Sequence, residues 1–211
     1  MPRTHGARNS DYLERRNELI NKVKMRLSAK AGQAPSFREL AMAAGVSVAT
    51  LRHYFGSREA LVQAVFAAGL AGGEKHLRNT RNPTELPLRD SLSGFLQRVA
   101  TGWTQGQVGL LHRVGLAEGL RDPGTGVAYL TDILEPTLQS LEERLAKHVA
   151  RGQMRACDLR QAALALLAPL ILALLHQHDL GGSRCRPLDI GELALAQVDM
   201  FCRAYATVDQ A

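Results

Sequence analysis

The sequence has few aromatic residues and few cysteines. Phe, Trp and Tyr make up only 5% of its 211 residues, a composition that favours helices over a β-sandwich or barrel. The three cysteines, Cys157, Cys185 and Cys202, are odd in number, lie far apart and form no CxxC pair. This pattern argues against a disulfide framework or a zinc site and is typical of a reducing cytoplasm.

The sequence also lacks the segments that direct proteins to membranes. No apolar run follows the positive charges near the N-terminus, so no secretion signal is predicted. The longest apolar run, residues 162–175, is shorter than the ~18 residues that a membrane-spanning helix needs. We therefore expect a cytoplasmic protein with no membrane partner, and we interpret this run as a buried helix.

Motifs of catalysis are missing as well. The sequence has no GxSxG, P-loop or HExxH motif and no recognisable pair of catalytic carboxylates. His176 and His178 would point to different faces of a helix, which argues against a metal site. Cys185 has basic neighbours, but an unreactive thiol is a simpler interpretation than a redox sensor. We predict that the protein is not an enzyme and uses no cofactor or metal.

Positive charge is concentrated in the N-terminal quarter of the chain. Residues 1–58 contain eleven Lys or Arg and four Asp or Glu, whereas residues 59–211 contain fifteen and sixteen. The overall formal charge of +6 therefore comes from the first segment. Such a local excess is typical of a surface that binds phosphates, although a solvated basic face with no partner would give the same pattern.

The basic segment contains the pattern of two short helices joined by a tight turn. Ser36 and Glu39 have capping-box spacing, so a helix is predicted to begin directly after Ser36 and to end at Gly45. Ser47 can cap a second helix at once, over about residues 47–54. The arrangement predicts a helix-turn-helix whose second helix enters the major groove of DNA, with an ordinary helical hairpin as the alternative.

The residue types in and around this predicted recognition helix suit contacts with double-stranded DNA. Small side chains allow close approach to base edges, hydroxyl and imidazole groups can bond to bases, and arginine and tyrosine can reach phosphates. The predicted DNA contacts are Ser36, Arg38, Ser47, Val48, Ala49, Thr50, Arg52, His53, Tyr54 and Arg58.

The same segment resembles a known family. The runs that carry the resemblance are Gly32-x-x-x-Ser36, LAMAAGVS at Leu40 to Ser47, Thr50-Leu51, Phe55 and SREAL at Ser57 to Leu61. They are similar to the N-terminal domain of the tetracycline-repressor (TetR) family of bacterial transcription regulators. The resemblance implies a DNA-binding domain, a helical domain that binds a small-molecule effector, and a homodimer formed through the last two long helices.

Three residues depart from the usual family pattern. Ser28 replaces an aromatic residue before the first loop glycine, Arg52 replaces the usual Tyr, and Arg58 replaces the usual Lys. Arg52 and Arg58 keep side chains that bind phosphate well. The alternative function is a helical sensor or protein-interaction module of the same fold that has lost sequence-specific DNA binding.

The rest of the sequence predicts helices throughout. Together they give an all-α fold of about nine helices, with a DNA-binding domain in residues 1–58 and an effector-binding and dimerisation domain in residues 59–211. The C-terminal helices are expected over residues 59–80, 85–105 and 107–120, from residue 127 with a kink at Pro136, after Asp158 with a bend at Pro169, and from about Asp189.

Two further sites are predicted in the C-terminal segment. An effector pocket would form between the middle helices, and the alternative for each candidate is a structural role in the core. A helix that is apolar on all sides must be covered on all sides, which favours a four-helix bundle shared by two subunits, with the central core helix of a single domain as the alternative. The effector candidates are Phe95, Trp103, His112, Leu116 and Tyr129, and the interface candidates are Leu164, Leu167, Ile171, Leu175, Leu195, Val198 and Cys202.

Overall fold

The computed structural model describes residues 5–28 and 34–207, with side chains described for residues 10–27 and 34–207. Within these residues the regular structure is helical apart from one isolated antiparallel bridge between Met154 and Ala206, which confirms the predicted all-α fold. In chain order the helices are α1 (His5–Ser28), α2 (Phe37–Ala44), α3 (Val48–Phe55), α4 (Arg58–Arg81), α5 (Leu88–Gln105), α6 (Val108–Gly119), α7 (Pro123–Tyr129), α8 (Glu135–Ala150), α9 (Leu159–Leu174), α10 (Gly182–Cys185) and α11 (Ile190–Tyr205), with π-helical turns at Leu130–Leu134 and Leu175–Asp179.

The two helices of the helix-turn-helix begin and end where the sequence predicts. Ser36 Oγ accepts from the backbone N–H of Glu39 at 3.3 Å, and the Glu39 carboxylate accepts from the N–H of Ser36 at 2.7 Å. Gly45 ends α2 with a φ of 70°, a left-handed conformation that glycine adopts without strain. Ser47 Oγ accepts from the N–H of Thr50 at 3.0 Å and begins α3. The predicted capping box and tight turn are confirmed.

The described chain packs as two compact units. The first contains residues up to 72 and residues 114–133, and the second contains residues 73–113 and those from 134 onward. Helices α4 and α6 therefore each run from one unit into the other, and α4 crosses between Gly72 and Gly73. The division by function after Arg58 stays a prediction, because it concerns roles rather than packing.

The first unit holds the helix-turn-helix between α1 and the first half of α4. Leucine, valine and phenylalanine side chains of these helices are buried, and burial of this apolar surface stabilises the unit. The main ones are Leu19, Ile20, Val23, Leu40, Leu51, Phe55, Leu61, Val62, Val65 and Phe66.

Glycines allow α6 and α7 of the same unit to approach closely. A methyl group on Gly115 would lie 2.0 Å from the ring of Tyr129. One on Gly119 would lie 2.9 Å from the Cα atom of Gly126. Both distances are far below van der Waals contact, so a larger side chain at Gly115 would displace the Tyr129 ring or the helices, and one at Gly119 would push the two backbones apart.

The predicted long helix around Pro136 is interrupted by a π-helical turn. It begins earlier than predicted, at Pro123, where Asp122 caps α7 by accepting from the N–H of Thr125 at 2.7 Å. The π-helical turn at Leu130–Leu134 then precedes α8, whose first turn contains Pro136. Proline has no N–H and its ring clashes with the carbonyl four residues earlier, so the distortion falls before Pro136 and not at it.

Helix α9 continues through Pro169. The proline leaves the carbonyl of Ala165 without its usual helical donor. Gln197 of α11 donates to that carbonyl at 2.7 Å and so joins the two helices. The bend expected at Pro169 stays a prediction.

A buried arginine holds the end of α4 in the second unit. Arg144 is 2% exposed and donates to the backbone carbonyls of Asn79, Thr80 and Asn82 and to the hydroxyl of Ser91. The C-terminal carbonyls of a helix carry partial negative charge, so they compensate the cation. Burial lowers the pKa of Arg144 to about 10, which still leaves it charged at neutral pH.

The most apolar segment of the chain is only partly covered. The most apolar 18 residues within Leu159–Asp179 have a mean hydropathy of 1.7, and the segment is long and apolar enough, by length and composition alone, to cross a membrane. The segment packs against α8 and α11, but only 39% of those 18 residues are buried. The exposed face of α9 carries Leu164, Ala165, Ala168 and Leu172, and the neighbouring face of α11 carries Leu195, Ala196 and Met200.

Candidate nucleic-acid interface

Helix α3 buries one face and leaves the other in solvent. Its buried residues are Leu51 and Phe55, which face the core of the first unit. Such one-sided burial is what a helix needs if its other face is to enter the major groove. The exposed or half-exposed residues of α3 and its cap are Ser47, Val48, Ala49, Thr50, Arg52, His53 and Tyr54.

Two other predicted DNA contacts lie at the start of α2. Ser36 and Arg38 are both exposed. Glu39, in the same turn, is fixed by the N–H of Ser36 and lies 3.1 Å from the guanidinium of Arg26 in α1. The hydrogen bond from the Ser36 backbone is the main cause that lowers the pKa of Glu39. The carboxylate therefore stays ionised as a cap and also ties α2 to α1.

The hydroxyl of Thr50 is oriented by Ser47. Their Oγ atoms lie 2.8 Å apart, so one hydroxyl donates to the other. Ser47 Oγ also accepts from the N–H of Thr50. One of the two hydroxyl protons is used in this bond, so the pair can donate only one proton to an acceptor on another molecule. The sequence did not indicate this constraint.

Tyr54 belongs to an aromatic cluster that joins α1 to the end of α3. The ring of Tyr12 stacks on that of Tyr54, with centroids 4.8 Å apart and planes 23° apart. His53 meets Tyr12 edge-on at 6.2 Å. Tyr12 was not among the predicted site residues. It lies one helical turn before Arg16 and two turns before Leu19, on the inward face of α1. That spacing is the signal that could have found it.

Arg58 has partners within the protein. Its terminal nitrogens donate to both oxygens of Glu118 at 2.8 and 2.7 Å, and its Nε donates to the carbonyl of Pro35 at 2.8 Å. The hydrogen bonds to Glu118 are the main cause that raises the pKa of Arg58. The structure thus gives this guanidinium other partners than the predicted phosphate. Glu118 was missed, although a lone acidic residue in the apolar helix α6 is a signal for a buried ion pair.

The effector candidates are divided between the two units. Phe95, Trp103 and His112 lie buried in the second unit, whereas Leu116 and Tyr129 belong to the first. Phe95 and Trp103 are part of the main hydrophobic core, the alternative that the sequence left open.

Trp103 and His112 form a stacked pair supported by polar groups. Their ring centroids lie 5.2 Å apart. Trp103 Nε1 donates to Asp179 at 3.0 Å, and Arg113 donates to the other oxygen of that carboxylate at 2.8 Å. Burial lowers the pKa of His112 to about 4, so the imidazole is neutral at physiological pH.

An open groove of about 440 Å³ lies in the first unit between α1, α4 and α7. Small side chains of α4 and α7 form much of its wall, and Arg16 and Asp132 are its charged residues. Burial raises the pKa of Asp132. None of the five effector candidates lines this groove.

Sequence comparisons match both ends of the chain to one family. Residues 25–65 match the profile of bacterial regulatory proteins of the tetR family. Residues 90–207, more than half of the chain, match the C-terminal domain of AefR-like transcriptional repressors. The chain belongs to the TetR family. It is therefore a DNA-binding transcriptional regulator. Among curated proteins, none matches the sequence significantly.

Solved structures share the fold of this TetR-family regulator over nearly its whole length. A putative TetR-family transcriptional regulator from Mesorhizobium loti is 20% identical, with a TM-score of 0.73, and the match covers 93% of this chain and 98% of that one. GusR from Salmonella enterica is 23% identical, with a TM-score of 0.68 and coverages of 90% and 96%. SmeT, the repressor of a Stenotrophomonas maltophilia multidrug efflux pump, is 16% identical, with a TM-score of 0.64 and coverages of 93% and 92%.

The predicted interface residues of this regulator divide into exposed and buried ones. Leu164 and Leu195 are 39% and 58% exposed. Leu167, Val198 and Cys202 pack in the hydrophobic core of their own protomer, and the interface role of these three stays a prediction. The sequence could not rank the faces of a helix that is apolar on all sides. Of the remaining candidates, Ile171 and Leu175 are half-buried.

Proposed function

We propose that this TetR-family regulator is a repressor that binds a palindromic operator as a homodimer in the cytoplasm and is released by a small-molecule effector. The profile that matches most of the chain is that of transcriptional repressors. SmeT, with the same fold, is named as a repressor. Both observations favour repression over activation.

The one-sided exposure of α3 carries the DNA-binding part of this proposal. The recognition helix is anchored by Leu51 and Phe55 and carries Arg52 and His53 on its open side. In a symmetric dimer, two such helices would enter successive major grooves about 34 to 36 Å apart, which requires a palindromic site. Exposed arginines at positions 38 and 52 would bind phosphates.

The exposed apolar faces of α9 and α11 support the dimer. Contiguous apolar surface of this kind is typical of protein–protein interfaces. Two copies that bring α9 and α11 together would bury these faces in a four-helix bundle. We therefore place the interface on Leu164, Leu172 and Leu195 and on the small residues between them.

The effector would act by population shift. A small molecule that binds better to a form whose recognition helices have a different spacing would draw the dimer away from the operator. Helical proteins bind such ligands between helices, in mainly apolar pockets with a few polar groups. The residues that we propose for a ligand within the second unit are Phe95, Trp103 and His112, and those for a ligand within the first unit are Leu116 and Tyr129.

Selection of bound fragments from a genomic DNA pool, followed by footprinting, tests the proposal. We expect the folded dimer to recover a palindrome and to protect it. Arg52→Ala should weaken binding to all sequences and reduce the salt slope of the binding constant by about one, and Thr50→Val should change sequence preference. Arg78→Ala, which removes an exposed cation of the second unit, is the control. A folded dimer that protects no DNA at low salt would contradict the proposal and favour the interaction-module alternative.

A further inference from the structure

The side chain of Arg58 joins three separate segments of the first unit. Arg58 begins α4, Pro35 lies in the loop before α2, and Glu118 lies in the last turn of α6. Nε donates to the Pro35 carbonyl, and both terminal nitrogens donate to the Glu118 carboxylate. Because every nitrogen of the guanidinium has a partner inside the protein, the side chain is fixed where it lies.

We propose that Arg58 and Glu118 form a clamp that positions the helix-turn-helix for DNA, and that Arg58 does not itself bind phosphate. Arg58 is thus a positioning residue, and Glu118 controls DNA binding without touching DNA. The inference rests on the proposed DNA-binding function where it is tested by DNA affinity, but not where it is tested by hydrogen exchange. It goes beyond that function by giving two residues a role that the helix-turn-helix pattern does not assign.

The burial of Glu118 favours a clamp over a phosphate contact. The Glu118 side chain is 7% exposed and the Arg58 side chain 21%. If Arg58 moved to a DNA phosphate, it would leave a buried carboxylate without its cation. That costs more than a single solvent-exposed ion pair returns. Arg58 therefore stays with Glu118 when DNA binds.

The residue type at position 58 also suits the clamp. A guanidinium presents a planar fork that matches both oxygens of a carboxylate, and its Nε offers a further N–H in the same plane. The lysine that is usual in the family at this position is a compact point charge. Lysine could also bind a phosphate, but its three N–H groups start from one nitrogen and lack the planar fork that reaches both Glu118 oxygens and the Pro35 carbonyl.

The far end of the clamp lies on closely packed backbone. Glu118 directly precedes Gly119, whose Cα region packs against Gly126 of α7 with no room for a methyl group. The carboxylate is therefore held in place by α6 and α7. Through Arg58 it fixes the Pro35 carbonyl, one residue before the Ser36 cap that begins α2.

Two variants and one matched control test the clamp. Glu118→Gln keeps the size of the side chain and removes its charge, whereas Arg58→Lys keeps the charge and removes the fork. Glu135→Gln is the control, since Glu135 accepts two hydrogen bonds from Arg160, both at 2.8 Å, in the second unit. Affinity is measured on the selected operator and on a random duplex over a salt series. Hydrogen exchange is measured on the DNA-free protein.

We expect both clamp variants to bind DNA more weakly with an unchanged salt slope. If about a tenth of the molecules keep a competent helix-turn-helix, affinity falls about tenfold. Amides of α2 and α3 should exchange faster in Glu118→Gln, while those of α9 and of the control variant keep the wild-type rate. Wild-type affinity in Glu118→Gln would overturn the clamp. So would wild-type affinity in Arg58→Lys, because a phosphate contact survives that change.

Failure of the clamp and failure of the proposed function give different results. If the wild-type protein binds no DNA, the proposed function fails, and hydrogen exchange alone decides the clamp. Unchanged exchange of α2 and α3 in Glu118→Gln then overturns it. If Glu118→Gln does not fold, Arg58→Lys supplies both readouts with the same expected results.

Discussion

The indole ring of Trp103 stacks on the imidazole of His112, with planes 14° apart and centroids 5.2 Å apart. Asp179 fixes the indole through its N–H. Because His112 is buried against this ring and its pKa is lowered to about 4, the folded protein binds a proton at this site less readily than the unfolded chain does.

The first prediction is that the free energy of unfolding decreases in mild acid. An unfolded histidine has a pKa of about 6.5, so the contribution of neutral His112 to stability is fully present above that pH and is lost as the pH falls towards about 4. The loss from His112 should be about 3 kcal/mol. His148 adds to it in the same direction, since burial is the main cause that lowers its pKa. Urea unfolding at a series of pH values measures the effect.

His112→Phe keeps an aromatic ring against Trp103 and removes the titrating group. We expect it to flatten the pH dependence between about 6.5 and 4, leaving the smaller part from His148. His76→Phe, at an exposed position, serves as the control for a histidine-to-phenylalanine change outside the core. An unchanged curve in His112→Phe would show that another group causes the acid sensitivity.

The second prediction concerns the dimer. Leu172→Asp and Leu195→Asp place a charge on the exposed apolar faces of α9 and α11, at positions 66% and 58% exposed in the protomer. A buried, unpaired charge at an interface is strongly unfavourable. Both variants should therefore be folded monomers by light scattering with far-UV circular dichroism. Leu120→Asp, at a position 88% exposed on the first unit, should stay dimeric, and dimeric Leu172→Asp would refute this interface.

The third prediction tests the close approach of α6 and α7. Gly115→Ala places a methyl group 2.0 Å from the Tyr129 ring, so the ring or the helices must move. We expect a loss of about 1 to 3 kcal/mol, typical of overpacking, and a lower Tm. Adding Tyr129→Leu should recover part of the loss by removing the ring. Equal destabilisation with and without the ring would mean that the cost does not come from this contact.

The fourth prediction is that Arg144 is essential to the second unit. Arg144→Met keeps much of the side-chain length but removes the donor of the carbonyls of Asn79 and Thr80 in α4 and of Asn82 just after it. Each buried unsatisfied group costs about 1 to 3 kcal/mol, so the loss should exceed that of any exposed arginine. Arg155→Met, at an exposed position, should change stability by less than about 0.5 kcal/mol. Similar unfolding midpoints for the two variants would argue against the buried cap.

The helix-turn-helix could be predicted because its signals are local. The Ser36 and Glu39 capping box, the Gly45 turn and the Ser47 cap each involve residues only a few positions apart. Local hydrogen bonds of this kind depend little on the rest of the fold. The sequence therefore located both helices to within a residue.

Long-range contacts could not be predicted in the same way. Arg58 and Glu118 are 60 residues apart, so the residue type indicated a cation near DNA but not its partner. The face of α9 that is exposed could not be predicted from the sequence either. Leu164 and Leu167 are equally apolar, and only packing decides that Leu167 faces inward. Tyr12 was missed since its partner, Tyr54, lies on another helix.

The paired glycines of α4 have a consequence for experiment. Helix α4 passes from the first unit to the second at Gly72 and Gly73, and a methyl group at either position meets nothing within 4 Å. Packing therefore does not require glycine there, yet each one costs a helix roughly 0.5 to 1 kcal/mol relative to alanine. Replacing one or both glycines with alanine would make α4 stepwise stiffer and leave the core unchanged. Such a series would measure how far the flexibility of α4 sets the operator affinity.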